Sequence, residues 1–419
     1  MSDSFSRQYD VLVCGGGPAG IGAAYGAASA GARTLLLEGS GRLGGMAVQA
    51  MVGPFMGGVR SRVVDAVMAA VGGRTIDFCQ LDLLLYDLLA GLGVQVLLHA
   101  PVLAPVMDGQ RLRGVDIMTK TGPRRFTAAL FIDATGDGDL AYMAGVPFEM
   151  GRAGDGLVQP ASIMFTIRGI DPQRRFVCGS EEEARRRVVN GRTWEEWVTD
   201  AQRKGELPAP VGVVRLYATR QADENGVNAT QINGVNGLDP VDLTRAEVEG
   251  RRQACQIVAF LRRSLPGYEN ATMAMMPAVV GVRETRRFCG LARLEKEDCL
   301  RGANFADAVV FAASFPIDIH NPAGSGQAAG LGDYMQGEAE RGKPYEIPYG
   351  CLVPKDVEGL LLAGRCISAS HEAHASLRVM CIAMATGAAA GAAAAWAAQH
   401  GVSTRAVPVA ELQPRLRPE

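Results

Sequence analysis

The chain has 419 residues, 48% of them hydrophobic, enough for two or three domains around a large buried core and too many for a disordered or fibrous protein. Lys plus Arg number 42 against 44 Asp plus Glu, so there is neither a basic excess for nucleic acid nor an acidic excess for a cationic partner, and a small-molecule partner is expected. Nine cysteines are scattered without a C-x-x-C or a regular framework, the pattern of reduced thiols in a cytoplasm.

The first segment, MSDSFSRQYDVLV, has no basic region followed by an apolar signal core, and its apolar run leads straight into a glycine turn; a cytoplasmic rather than a secreted protein is expected. Residues 9–14 are a short β-rich run ending in GGGPAG, where Gly15, Gly17 and Gly20 fit G-x-G-x-x-G. Residues 19–30 read as a small-residue helix, and ARTLLLE as a second buried strand ending in Glu38. Gly15 makes the tight turn, Gly17 lets the backbone approach a pyrophosphate, and Gly20 packs helix on strand. The helix N-terminus supplies N–H groups and partial positive charge to phosphates, and Glu38 is placed to accept from an adenosine ribose. A strand before, a helix after and an acid at the next strand end favour dinucleotide binding over a glycine-rich turn in an ordinary βαβ unit.

GSGRLGGMA, directly after Glu38, is a second glycine turn that an ordinary NAD domain does not need. VQVLLHAPV and LRGVDIMTK, separated by a turn at 107–110, read as strands of a small β-meander, and FIDATGDGD is an apolar strand running into a further glycine turn. This order resembles the glutathione-reductase-type FAD fold. The fold class expected is α/β: a Rossmann-like FAD-binding domain, with a central parallel sheet plus a β-meander, carrying an inserted α+β substrate domain. The boundaries expected are 1–155 for the first FAD-binding segment, 156–345 for the substrate or cap domain, 346–405 for the second FAD-binding segment and 406–419 for a tail.

Within the insertion, EEEARRRVVNGRTWEEWVTDAQRKG reads as an exposed helical pair whose charge runs are solvated faces. Asn225, Asn228, Asn233 and Asn236 are turn formers or, on the functional reading, amide donors and acceptors for a polar substrate. TRAE at 244–247 reads as a capping box between Thr244 and Glu247, opening a helix that stops before Pro266. GVRETRRFCG follows an expected strand, PAVVGV; Arg283 either binds a substrate anion or holds the fold through an ion pair to Glu284 or another acid. FPIDIH places Asp318 and His320 two apart, on one face if the segment is a strand, so that His320 serves as a base or makes a structural hydrogen bond. GSGQAAG at 324–330 has the wrong spacing for a second phosphate cradle, which leaves no dedicated NAD(P)H domain.

In ASHEAHASLR, at 369–378, His371 and His374 lie three apart, but the zincin pattern H-E-x-x-H and a third ligand are both missing, so no metal is expected. The uncharged run at 382–398 is Ala- and Gly-rich and only weakly apolar; it reads as a buried helix in which Gly387 and Gly391 admit another backbone, not as a membrane span.

The segments ATGDGDLA, TRAEVEGR, GVRETRR, PIDIH, IPYGCLVP and LLLAGRCIS, in this order, carry a resemblance from residue 9 to about 398. The chain resembles FAD-dependent oxidoreductases related to the fumarate-reductase and tRNA wobble-uridine-modifying flavoproteins, most closely a large bacterial family of them. The resemblance implies non-covalent FAD held by Gly15, Gly17, Pro18, Ala19 and Gly20, by Glu38, Gly39, Arg42, Gly44, Gly45 and Met46, and by Val102 beside the adenine. It further implies contacts at Ala134, Thr135 and Gly136, and at Gly364, Arg365, Ser376 and Val379. Many relatives with this fold have an Asp where Arg365 stands. The resemblance also puts residues 368–375 across the flavin as a loop, with His371 or His374 facing the substrate, and starts the following helix near Ser376, aimed at the flavin N1 and O2.

FAD accepts a hydride at N5, so the function expected is hydride transfer from a small polar organic substrate, for example a hydroxylated or glycosidic compound. His320 and His371 are the base candidates and Arg283 the anion-binding candidate. An ene-reductase of the fumarate-reductase type is the alternative in the same chemistry. A flavin-carrying electron-transfer subunit or tRNA-modifying flavoprotein is the alternative of another class, opposed by the absence of clustered cysteines and of a basic excess. The partners expected are that substrate and a separate electron acceptor, with no nucleic acid and no membrane.

Overall fold

The computed structural model describes residues 8–325 and 343–417, so most of GSGQAAG lies outside the described residues. Short apolar runs that are buried on both faces assemble as a parallel sheet. Its order is Gln95–Leu97, Thr34–Leu37, Gln8–Cys14 and Gly122–Asp133, with Leu360–Leu362 parallel to the last. Gly122–Asp133 belongs to two structures at once. Its first half pairs antiparallel with Arg111–Thr119, itself antiparallel to Val102–Asp108, while its fully buried end enters the parallel sheet. VQVLLHAPV, expected as one meander strand, is divided: Gln95–Leu97 joins the parallel sheet, and the chain turns at His99, whose φ is 56°, before the meander begins.

The helices Pro18–Ser29 and Met380–His400 pack together through four glycines. A Cβ on Gly22, Gly26, Gly387 or Gly391 would lie 2.0–2.3 Å from a carbonyl oxygen of the opposite helix. Among the described residues Met380–His400 is the one helix long and apolar enough to cross a membrane, and 94% of its most apolar stretch is buried inside the protein. Its small residues therefore serve helix packing. Gly391→Val, which drives a side chain into Ala23 O, is expected to cost at least about 3 kcal/mol; an unchanged thermal midpoint would contradict this packing.

A second core, drawn from residues 161–280, surrounds Trp194, Phe260 and Tyr268. Over it lies an antiparallel sheet in the order Arg215–Ala218, Glu224–Asn228, Met164–Arg168, Thr272–Met275, backed by the helix Pro240–Ser264. Phe288, Leu294, Val309 and Ile319 pack instead into the first core. Ala308–Ser314 also pairs with Gly58–Arg60 and Tyr345–Pro348, which ties the segment after 286, expected within the insertion, to the parallel-sheet side.

Three local expectations are corrected. The long helix starts at Pro240, not at Thr244: Asp239 accepts from Val241 N at 2.8 Å and Pro240 occupies the first turn, a stronger start than TRAE. Thr244 Oγ1 donates to Pro240 O at 2.7 Å within the helix, and Glu247 accepts from Val280 N at 2.6 Å. PAVVGV is irregular rather than a strand, touching Ser162 through a single bridge at Gly281. The charged segment forms Glu181–Arg186 and Trp194–Arg203 with a two-stranded hairpin between them, and Trp194 is buried in the second core.

Candidate active site

The two cores face each other across a cavity of about 460 Å³. One wall is built by the glycine turns. Gly15 has φ 99°, and its Cβ would meet Ala134 O at 2.4 Å; a Cβ on Gly20 would meet Gly15 O at 1.7 Å, so both glycines are required by the fold itself. Gly17 is different: at φ −74° its Cβ would have no neighbour nearer than Gly45 Cα at 3.7 Å. No protein atom demands a glycine at 17, and a side chain there would instead fill the cavity. The helix that starts at Pro18 has no side-chain cap and no acid in its first turn, leaving its N-terminal field open to an anion.

Asp133 fixes the glycine turn of ATGDGD. It accepts from Thr135 N at 3.0 Å, Thr135 Oγ1 at 2.8 Å and Ala141 N at 2.8 Å, which places Ala134, Thr135 and Gly136 on the cavity. Glu38 also lines it, accepting from Gly16 N and Ser40 N at 2.7 Å each. Pro18, Ala19, Gly45, Met46, Gly364, Arg365 and Val379 share the same lining. Arg365 is ion-paired with Asp137 at 2.6 Å.

Other residues implied by the resemblance lie off the cavity. Arg42 turns to Asp82 at 2.6 Å and Phe78 O at 2.8 Å, Gly39 packs on Pro101, and Gly44, at φ 106°, packs on Val48. Val102 sits in the meander strand outside the lining. Ser376 is buried, donating to Phe315 O at 2.6 Å and 2.8 Å from the Tyr345 hydroxyl. The following helix begins at Met380, not near Ser376, with its uncapped N-terminus on the cavity.

The opposite wall comes from the inserted sheet. Arg215 and Tyr217, two apart on one strand, share a face, and Asn228 is in register opposite Arg215. The alternation in RLY is the one local signal for this wall, and sequence reasoning passes over it. Of the four asparagines only Asn228 lines the cavity. Asn225 is buried and donates to Phe176 O and Tyr217 O at 3.1 Å, Asn233 donates to Gly324 O at 2.9 Å, and Asn236 accepts from Leu238 N at 3.1 Å.

Arg283, Asp318, His320 and Arg378 complete this wall. The 315–319 stretch is not a strand, yet Asp318 Oδ2 lies 3.7 Å from His320 Nε2 and 3.3 Å from Arg378 Nη2. The His320 N–H donates to Gln159 Oε1 at 3.3 Å, which fixes the backbone at the ring. Burial, then the positive charge of Arg283, outweigh Asp318 and lower the His320 pKa to about 4, so the imidazole is neutral at pH 7. Burial alone would raise the Asp318 carboxyl, but His320, Arg378 and Arg215 hold it well below the usual range. Arg283 donates from Nη1 to Pro160 O at 2.6 Å.

HEAH is not a loop. Ser370 accepts from Ala373 N at 3.2 Å and caps the helix His371–Leu377, since the stretch has good helix formers and no glycine or proline until a break at Arg378 and Val379. His371 Nδ1 is 2.8 Å from Glu284 Oε1, and Glu284 also binds Arg287, forming a buried cluster. An ion pair between Glu284 and Arg287 therefore stands where one between Glu284 and Arg283 is an expectation of the sequence. His374 is fully buried, with neither ring nitrogen hydrogen-bonded among the described residues, and burial followed by Arg287 keeps its pKa well below the usual value. Neither histidine lines the cavity. Among the described residues no three His, Cys, Asp or Glu side chains are grouped to hold a metal.

Comparison with known structures gives a similar fold. A flavin-dependent brominase superposes with a TM-score of 0.50 at 12% identity, over 97% of this chain and 84% of that one. A geranylgeranyl bacteriochlorophyll reductase-like protein from Thermoplasma acidophilum gives 0.48 at 15% identity, over 98% and 81%. A p-nitrophenol 4-monooxygenase from Pseudomonas putida DLL-E4 gives 0.43 at 13%, over 69% and 71%. A family model described as FAD dependent oxidoreductase matches residues 10–416. The glycine-turn wall, with its open helix N-terminus and the space kept at Gly17, fits such a cofactor; the chain belongs to the FAD dependent oxidoreductase family and has FAD as its cofactor.

Proposed function

We propose that the protein oxidises a small polar organic substrate in the cavity, with His320 as the base. The observation that carries this reading is the position of the His320–Asp318 pair on the wall facing the glycine turns, inside one cavity. Bound FAD supplies a two-electron acceptor. Gly15, Gly17 and the first turn of Pro18–Ser29 would hold its pyrophosphate, Glu38 its ribose, and Met46, Gly136 and Gly364 the rest of its length. The uncapped start of Met380–His400 favours negative charge on the reduced cofactor. His320, neutral and held next to Asp318, accepts the proton that leaves a substrate hydroxyl or amine; Asp318 then stabilises the imidazolium.

The test is anaerobic stopped-flow mixing of the FAD-loaded protein with a panel of small alcohols, amines and hydroxy acids, read as bleaching of the flavin band. Failure of every member to bleach it would remove this reading. A second reading, reduction of an activated alkene with an arginine as proton donor, is favoured by the place of Arg283 on the cavity wall with His320, where burial, then Arg378, lower its pKa to about 9. Reoxidation of photoreduced enzyme by enoates, without bleaching by alcohols, would select it.

The pH dependence follows from His320. Its free-enzyme pKa of about 4 predicts that the second-order rate of FAD reduction is flat from about pH 5 upward and falls only as the pH drops through about 4. The sign for stability is the same. The unfolded histidine, at its ordinary value near 6.5, binds a proton that the folded one refuses, so this contribution is present above pH 6.5 and lost as the pH falls toward 4. An acid limb near 6.5 in the reduction rate would show a solvated base in its place.

A further inference from the structure

Arg215, Arg283 and Arg378 line the end of the cavity built by the inserted sheet and the 315–320 segment. The acid facing them there is Asp318, which is already engaged with Arg378 and His320. Arg283 forms no ion pair among the described residues; its Nη1 donates to the Pro160 carbonyl, and its neighbour Glu284 is directed away to Arg287 and His371. Arg283 is partly buried, so its guanidinium reaches the cavity with one carbonyl partner and further N–H groups to donate, while the nearby Asp318 charge is shared with Arg378 and His320. Behind it lies a recess of about 20 Å³, shared by Arg215, Asn228, Thr230, Gln231, Arg283 and His320, with no acid in its lining. That recess has room for one water-sized group.

We propose that this end of the cavity is a carboxylate subsite, in which Arg283 holds the anionic head of a small organic acid beside His320. A planar carboxylate matches the guanidinium fork left open by the single bond to Pro160, and the recess admits one of its oxygens while the rest of the acid lies in the main cavity. Asn228 stands next to the same anion and completes its hydrogen bonds as an amide donor. The substrate class becomes a hydroxy or amino compound with its carboxylate near the reacting carbon. This rests on the proposed role of His320 as the base.

The test is binding, read as the flavin difference spectrum and tryptophan quenching of the oxidised FAD-loaded protein, with acetate, propionate, lactate and benzoate against their neutral amides, methyl phosphate and chloride. At least one carboxylate is expected to bind tenfold or more tighter than its isosteric amide, and Arg283→Gln is expected to remove that preference with FAD content unchanged. Arg283→Lys keeps the charge without the fork and is expected to retain part of the preference. The wild-type comparison needs no variant, so it stands even if Arg283→Gln folds poorly. Equal binding of acids and amides, a carboxylate preference that survives Arg283→Gln, or tighter binding of methyl phosphate or chloride than of every carboxylate would each overturn the proposal. His320→Gln separates the two claims. It is expected to keep the carboxylate preference while slowing reduction: reduction slowed by this variant in a protein that shows no carboxylate preference sinks the subsite alone, and a carboxylate preference in a protein whose reduction this variant leaves unchanged sinks the base alone.

Discussion

Replacing His320 by Ala is expected to slow substrate-driven reduction of bound FAD by about 100- to 10,000-fold, the range that a positioned general base contributes, while the FAD content of the purified protein stays at the wild-type level. The separation is expected because His320 belongs to the wall opposite the glycine turns. Its ring is nearly buried, its backbone is anchored on Gln159, and its partner Asp318 is shared with Arg378, so the ring is held in place before substrate arrives. Asp318→Asn is expected to give a smaller rate loss, because it keeps the volume and leaves the imidazolium without its counter-charge. His371→Ala, by contrast, empties a buried site next to Glu284 and is expected to lower the thermal midpoint without slowing reduction per bound FAD. Reduction kinetics unchanged by His320→Ala, or abolished by His371→Ala at full FAD content, would reverse the assignment of the base.

Gly17→Leu is expected to weaken FAD binding by more than 100-fold and leave the fold intact. Two charge-assisted bonds from backbone N–H groups at about 1.5–3 kcal/mol each correspond to a loss of that size. The φ of −74° at Gly17 accepts any residue, and the nearest atom to an added Cβ is 3.7 Å away, so the new side chain meets only the cavity. Gly20→Leu provides the contrast. Its Cβ would fall 1.7 Å from Gly15 O, and the expected result is loss of folded protein rather than loss of FAD alone. Circular dichroism melts of the flavin-free proteins, with FAD titrations by fluorescence, distinguish the two. A Gly17→Leu protein that still copurifies with full FAD would show that the pyrophosphate does not lie at this turn.

The two glycines also show how much of the fold is legible in the chain alone. GGGPAG, ARTLLLE and FIDATGDGD are local patterns in which a few residues dictate a turn, a strand and a helix start, and the parallel sheet follows from runs buried on both faces. The helix over 382–398 is legible for the same reason, since Gly387 and Gly391 are small because another backbone touches them. Legibility ends where the outcome depends on competition between signals. TRAE loses to the Asp239–Pro240 start, and HEAH, expected as a loop, is capped by Ser370 into a helix of its own.

The sequence by itself determined the glycine turns after Cys14 and Asp133, because each is set by a few residues adjacent in the chain; pairing of their strands, and of Leu360–Leu362 beside them, then joins the turns and the 363–365 segment into one wall. Only the tertiary structure decided which polar side chains share the other wall. Arg215, Tyr217 and Asn228 come from the inserted sheet, Arg283 from an irregular segment and His320 from the end of another, far apart in the chain and joined only when two cores close on one cavity. The same closure buried His371 and His374 away from the cavity lining. Glu284, itself ion-paired with Arg287, claims His371 in the interior, a pairing between positions 87 residues apart that no local pattern encodes.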